Sequence, residues 1–122
     1  MPNWQPNWNN VRWDWGAADE AVNALRRAAD LLDSSVQERL SVAREAQQEW
    51  RGRYRDQFDE ELARIVARAR DLAAQFREAA KRITTASQRA SYEQHHREAE
   101  RARWRREKEE EERRRRRRLR YY

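Results

Sequence analysis

The sequence has 122 residues, enough for a single domain, and its formal net charge is +6. Charged residues make up 41% and hydrophobic residues 38%, which is too polar for a thick core but suits long helices that each bury one stripe. Cysteine is absent, and this excludes disulfides, thiolate metal sites and a thiol nucleophile. No apolar run approaches the roughly 20 residues of a membrane span, and the first residues lack the pattern of a conventional signal peptide.

The amino-terminal segment, residues 1–15, differs in composition from everything that follows. It contains a doubled Pro-Asn-Trp unit at residues 2–4 and 6–8, and then Trp13 and Trp15. Proline and asparagine disfavour a regular helix, so we predict an extended or turn-rich arm. The tryptophans either dock on a partner, as interface tryptophans often do, or fold back over the chain's own hairpin to cover apolar surface.

Residues 16–95 predict two amphipathic helices that meet at Gly52. After Gly16 this is the one glycine of the sequence, and no proline follows it, so the helical pattern breaks only there. Apolar residues recur at steps of three and four on both sides, apart from Arg39, which occupies an expected apolar position. The predicted seam consists of Val22, Leu25, Leu32, Val36, Leu62, Ile65, Leu72, Phe76 and Ile83.

This pattern predicts an all-α fold, an antiparallel two-helix hairpin bent at Trp50 to Gly52. Two helices alone bury only the sides that face each other, and further apolar residues widen both faces. We therefore expect a second hairpin to pack against the first and complete a four-helix bundle. The partner is either a second copy, giving a homodimer, or a different protein, giving a heterodimer.

The carboxyl-terminal extension, residues 96–122, is rich in glutamate and arginine. Residues 97–122 contain 13 basic and 7 acidic residues, which accounts for the whole positive excess. Glu109 to Glu112 stand four residues before arginines, an order that favours ion pairs along a helix. The segment is therefore either a solvated helix or a disordered tail, because it has little to bury. Its basic tail comprises Arg113, Arg114, Arg115, Arg116, Arg117 and Arg118.

Catalytic chemistry is scarce in this sequence. His95 and His96 are neighbours that would point apart on a helix; His96 with Glu100 could hold a metal weakly, but solvated histidines are the expectation. Two glycines do not make a phosphate-binding loop, and no serine sits in a glycine-rich elbow. We expect no enzyme, no catalytic or metal site, no cofactor and no small-molecule substrate. Nucleic-acid binding by the arginine run is disfavoured, because no recognition fold accompanies it.

Trp50-x-Gly52 between two amphipathic helices, with Phe58 eight residues after Trp50, resembles the WXG-motif family. These are small early-secreted-antigen-like (ESAT-like) hairpins exported by bacterial type VII secretion systems. The resemblance covers residues 17–95. It implies a four-helix-bundle dimer that is a secreted substrate, or the targeting or chaperone partner of a larger effector or toxin. Trp50 and Gly52 would then form, with the partner's carboxyl-terminal helix, the surface that the secretion motor recognises.

The family's tail signal is Tyr-x-x-x-Asp/Glu, and this chain departs from it. Tyr92 is followed by His96, and only His96-x-x-x-Glu100 has a similar shape, which favours a partner that supplies the signal. The resemblance implies secretion without a cleavable signal peptide, from a cytoplasmic pool before export. The alternative is a cytosolic coiled-coil adaptor whose arginine-rich tail binds nucleic acid or an anionic surface.

Overall fold

A computed structural model describes residues 2–120 of the chain. Helix α1 spans Trp15–Gln47 and helix α2 spans Arg53–Arg120. The described range contains no strand, so the prediction of an all-α chain with two helices packed together is confirmed. Pairing into a four-helix bundle stays a prediction. Met1, Tyr121 and Tyr122, at the ends of the predicted arm and extension, lie outside the described residues.

The chain's internal contacts divide it into two units. The first, which we call the helix pair, is Trp15–Thr85, comprising α1 and the first part of α2. The second, the arm unit, combines the residues up to Asp14 with those from Ala86 onward. The predicted boundaries after residues 15 and 95 follow composition, whereas these units follow contacts.

Small side chains form the centre of the helix pair. Apart from Ala18, the buried residues of the helix pair are spaced by sevens on both helices, and the alanines in these rows are almost completely inaccessible to solvent. Because alanine and valine are short, the two backbones approach closely along this line. The row in α1 is Val22, Ala29, Val36 and Ala43, and the row in α2 is Val66, Ala73 and Ala80.

Polar contacts along one edge of the helix pair fix its antiparallel register. The guanidinium of Arg77 donates to Asp30 at 3.0 Å and to Asp33 at 2.6 Å, and Gln47 donates to Asp59 near the other end. The two carboxylates, Asp33 first, raise the pKa of Arg77 above its ordinary value. These contacts join the middle of α1 to Arg77 and the end of α1 to the first turns of α2, as antiparallel packing requires.

The connection between the helices is residues 48–52, and Gly52 is its conformationally demanding position. Gly52 has a φ of 107°, and no other described residue has a positive φ. Its carbonyl accepts from the amide of Asp56 at 3.2 Å, which starts α2. A side chain at this position would meet no neighbouring atom, so the need for glycine comes from the backbone alone.

Helix α2 continues through the whole described part of the Glu/Arg-rich extension. Arg114 and Glu110 form an ion pair at 2.8 Å in the i,i+4 geometry expected from the sequence. Of the two alternatives for this segment, residues 96–120 therefore follow the helical one. Within residues 2–120, neither helix is long and apolar enough to cross a membrane.

Candidate interaction surfaces

The predicted secretion motif forms a small aromatic cluster at the connection. The rings of Trp50 and Phe58 lie 5.2 Å apart at an angle of 49°, and Arg55 donates to the Trp50 carbonyl at 3.2 Å. Trp50 keeps 37% of its surface exposed. The indole therefore covers Phe58 with one side and presents the other to solvent.

One side of the helix pair is an open apolar groove near this cluster. Its apolar walls are Val42 and Ala46 of α1 and Phe58, Leu62 and Ile65 of α2, while Ala43 forms the floor. Val42 is 68% exposed, although removing aliphatic surface from water is favourable. Two charged residues, Glu38 and Arg39, also line the groove.

The opposite side of the helix pair mixes apolar and polar residues. Its lining consists of Leu40, Gln47, Asp59, Leu62, Ala63, Val66, Ala67 and Arg70. The Arg77 ion pairs continue this side, because Asp33 and Arg77 are each seven residues from other lining positions. This side of the helix pair therefore carries the polar contacts between the two helices, and the groove on the other side exposes Val42.

The predicted seam residues are distributed between the centre of the helix pair and this apolar side. Val22 and Val36 are buried at the centre, and Leu72 is 40% exposed. Sevenfold spacing places the large seam residues of α2 in rows beside the central row of Val66, Ala73 and Ala80. That they form a dimer seam stays a prediction. Those that are half-buried are Leu25, Leu32, Leu62, Ile65, Phe76 and Ile83.

In the arm unit, the tryptophan-rich arm is extended and docks on α2 around Trp104. The Trp104 ring is buried, stands edge-on to Trp8 at 5.3 Å and donates its indole N–H to the Trp4 carbonyl at 2.9 Å. Arg103 lies over the Trp4 ring at 4.7 Å, and Lys108 lies over Trp104 at 5.4 Å. Of the two predictions for the arm, these contacts match folding back onto the chain itself, although Trp104 lies in the extension and not in the predicted hairpin of residues 16–95.

Polar side chains of α2 bind the backbone of the arm. Arg101 donates to the carbonyls of Asn7 at 2.8 Å and Asn9 at 2.6 Å. Gln94 accepts from the Val11 amide at 2.8 Å, and the Trp13 indole donates to the Ser87 hydroxyl at 3.0 Å. An extended segment cannot satisfy its own amides and carbonyls, so the helix supplies the partners.

This set continues the sevenfold spacing of the buried row in α2. Val66, Ala73 and Ala80 are followed at the same interval by Ser87, Gln94 and Arg101. Small apolar residues pack well against a neighbouring helix, because the backbone hydrogen bonds of a helix are internal. Polar residues pack well against an extended chain, because they supply the hydrogen-bond partners that its backbone lacks. The sequence pattern predicted only that residues 96–122 have little to bury, and it did not predict this docking surface. The signal that identifies the surface is the change from apolar to polar residues at constant sevenfold spacing.

Glu107 adds a charged contact to the arm. Its carboxylate accepts from the Trp4 indole N–H at 2.7 Å and from Arg103 at 3.2 Å. The hydrogen bond from Trp4, and then that from Arg103, lowers the pKa of Glu107 below its ordinary value of 4.5. The docked arm therefore favours the charged form of this carboxylate.

Comparison with known proteins gives no relative for this chain. No family model, no curated protein and no solved structure matches it. The resemblance to WXG-motif proteins therefore rests on Trp50, Gly52 and Phe58 and on their position between two helices.

The remaining predicted site residues lie on the solvent-exposed side of α2. Tyr92 is 76% exposed and His96 is exposed, while the half-buried Glu100 pairs with Arg103 at 3.7 Å. The side chains of the basic tail are all exposed. Among residues 2–120, no group of three or more His, Cys, Asp or Glu side chains is placed to hold a metal ion.

Proposed function

We propose that this chain is a non-enzymatic helical interaction protein of type VII secretion. It acts by docking the apolar side of its helix pair against another helical hairpin, in a four-helix bundle. In this role it is exported itself, or it targets a larger effector or toxin for export.

The observation that carries the proposal is the open apolar groove. Val42 is 68% exposed there, beside the half-buried side chains of Leu62 and Ile65, and Leu72, seven residues after Ile65, is 40% exposed. A contiguous apolar surface of this kind marks a protein interaction site in many proteins. On the opposite side, Arg77 and Gln47 already have partners across the two helices, which favours the groove as the docking side.

The arrangement at the connection supports the narrower assignment to type VII secretion. Trp50 packs on Phe58 yet stays partly exposed, as a surface recognised by a secretion motor requires. Gly52 provides the positive φ that lets the chain turn there. The arrangement fits the role that the WXG resemblance implies for these residues.

Substitution of Trp50 tests this assignment. We expect Trp50→Ala to leave helical content nearly unchanged by circular dichroism but to abolish appearance of the tagged chain in the culture medium. The matched control is Tyr54→Ala, because Tyr54 is 74% exposed one turn away and outside the aromatic cluster. Export is compared in the source bacterium with its type VII secretion motor intact and disrupted. Equal export of Trp50→Ala and wild type would remove the motif's role.

The exposed basic tail supports a second candidate function, an adaptor that binds nucleic acid. Its arginines stand on a continuous helix with their side chains in solvent, and clustered guanidinium groups release counterions from phosphates. On this account, deletion of residues 113–118 removes binding to single-stranded nucleic acid that weakens steeply with salt. Absence of binding by the intact chain at low salt ends this candidate.

A further inference from the structure

We propose that a second copy of this chain covers the apolar groove, about a two-fold axis passing close to Glu38 and Arg39. The inference rests on the docking role proposed above and names the occupant of that surface. Its basis is the charge and residue pattern of the groove itself.

Arg39 is the exceptional residue of the apolar side. It lines the groove and stands at sevenfold spacing from Leu25, Leu32 and Ala46. It is exposed, and among residues 2–120 it has no ion-pair partner. A guanidinium covered by apolar surface without a counter-charge costs free energy, so the occupant has to bring a carboxylate to this position.

Glu38 is the carboxylate that a second copy would bring. It lines the same groove, is exposed, and also lacks an ion pair within the described residues. In a two-fold interface, residue i of one copy meets residue j of the other, and j meets i. Adjacent unpaired charges of opposite sign beside the axis therefore make two reciprocal Glu38–Arg39 pairs.

The large apolar residues of α2 fall on both sides of the same level. The contacts of Gln47 with Asp59 and of Asp33 with Arg77 place Arg39 opposite the middle of the stretch from Ile65 to Leu72. A two-fold axis at that level sets Ile65 of each copy against Leu72 of the other. Leu62 and Phe76 are brought together in the same way.

Charge reversal at the two positions tests the axis. The variants are Arg39→Glu, Glu38→Arg and the double exchange of both, each made in the full chain and measured by analytical ultracentrifugation. Wild type should be a dimer of 15.0 kDa chains. Each single variant should raise the dimer Kd about tenfold or more, because like charges then face each other across the axis. The double exchange should restore the wild-type Kd, and an equimolar mixture of the two single variants should form mixed dimers.

Two results overturn the inference. If wild type stays monomeric at all concentrations, the occupant is not a second copy, and docking of another hairpin is still testable through export of Trp50→Ala. If wild type and both single variants dimerise equally and the mixture shows no preference, the copies do not meet at Glu38 and Arg39. Circular dichroism detects any loss of helical content in a single variant. In that case the dimer Kd of the double exchange, compared with that of wild type, decides whether the copies meet at Glu38 and Arg39.

Discussion

Gly52 shows how one backbone conformation determines where the two helices separate. Its φ of 107° lies in a region that other residues adopt only with strain, and space for a side chain is open. The helical pattern of the sequence broke at the same residue. Conformational freedom, and not packing, is therefore the reason for glycine here.

We expect Gly52→Ala to lower the free energy of unfolding by about 1–3 kcal/mol, because the strained backbone is kept while the freedom of glycine is lost. The measurement is urea denaturation followed by circular dichroism. Gly16→Ala is the control: Gly16 is an exposed helical residue without a positive φ, so the free energy of unfolding should stay the same or rise by up to about 1 kcal/mol. Equal effects of the two substitutions would contradict the role of φ.

Arg101 is the residue that holds the arm most directly, since its guanidinium reaches Asn7, Asn9 and Asn10 at once. Lysine keeps the charge but not the planar fork of donors. Arg101→Lys should therefore speed hydrogen exchange of the Val11 amide and the Trp104 indole about tenfold. Arg106→Lys, a change at an exposed arginine nearby, should leave both exchange rates as they are. Unchanged exchange in Arg101→Lys would mean that the aromatic contacts alone hold the arm.

At the scale of elements, the centre of the helix pair is built from small residues, and we expect it to have room only for small side chains. Ala73 is 1% exposed, whereas its neighbour Ala74 is exposed. Ala73→Leu should lower the free energy of unfolding by about 1–3 kcal/mol, because the helices are too close for a larger side chain. Ala74→Leu should change it by no more than about 0.5 kcal/mol. Urea denaturation of both variants checks this difference, and a neutral Ala73→Leu would show that the helices are loosely packed.

The arm is an element whose docking should respond to acid. The pKa of Glu107 is lower with the arm docked than its ordinary value of 4.5. The carboxylate therefore stabilises docking above about pH 4.5, and this contribution is lost as pH falls through the lower pKa of the docked state. The Trp4 indole N–H resonance should shift between neutral pH and about pH 3. Glu107→Gln should remove that shift, and an unchanged titration in this variant would assign it to other groups.

The periodicity of the sequence was sufficient to predict two packed helices. It was not sufficient to predict which row of residues on each helix faces the other helix. The apolar stripe of α2 is several rows wide, and the stripe alone does not say that Ala73 and Ala80, and not Leu72 and Phe76, point to α1. That choice depends on the close approach of two backbones, which is a property of the pair. The surface of α2 on which the arm docks was not predicted, for a related reason. Ser87, Gln94 and Arg101 are polar and give no apolar pattern, and their role is evident only when the extended arm lies against them.

At the scale of the whole molecule, the two units use one helix for different kinds of partner. The helix pair buries a row of small residues against α1 and leaves large apolar residues on its open side. The arm unit satisfies an extended segment with hydrogen bonds and aromatic contacts. The proposed function is centred on the helix pair, because its groove is the surface that leaves Val42 exposed beside Phe58, Leu62 and Ile65.

The central claim is that the open apolar side of the helix pair is an interface, and the most direct test is the solution mass of a variant with a charge placed there. Val42→Glu changes a residue that lines the groove and is largely exposed, so the fold should be kept. Ala67→Glu puts the same charge on the opposite side of the helix pair, at a residue that is also exposed. By light scattering over a range of concentrations, wild type and Ala67→Glu should have twice the mass of one 15.0 kDa chain, and Val42→Glu should have the mass of one. The same mass for Val42→Glu and wild type would contradict the claim.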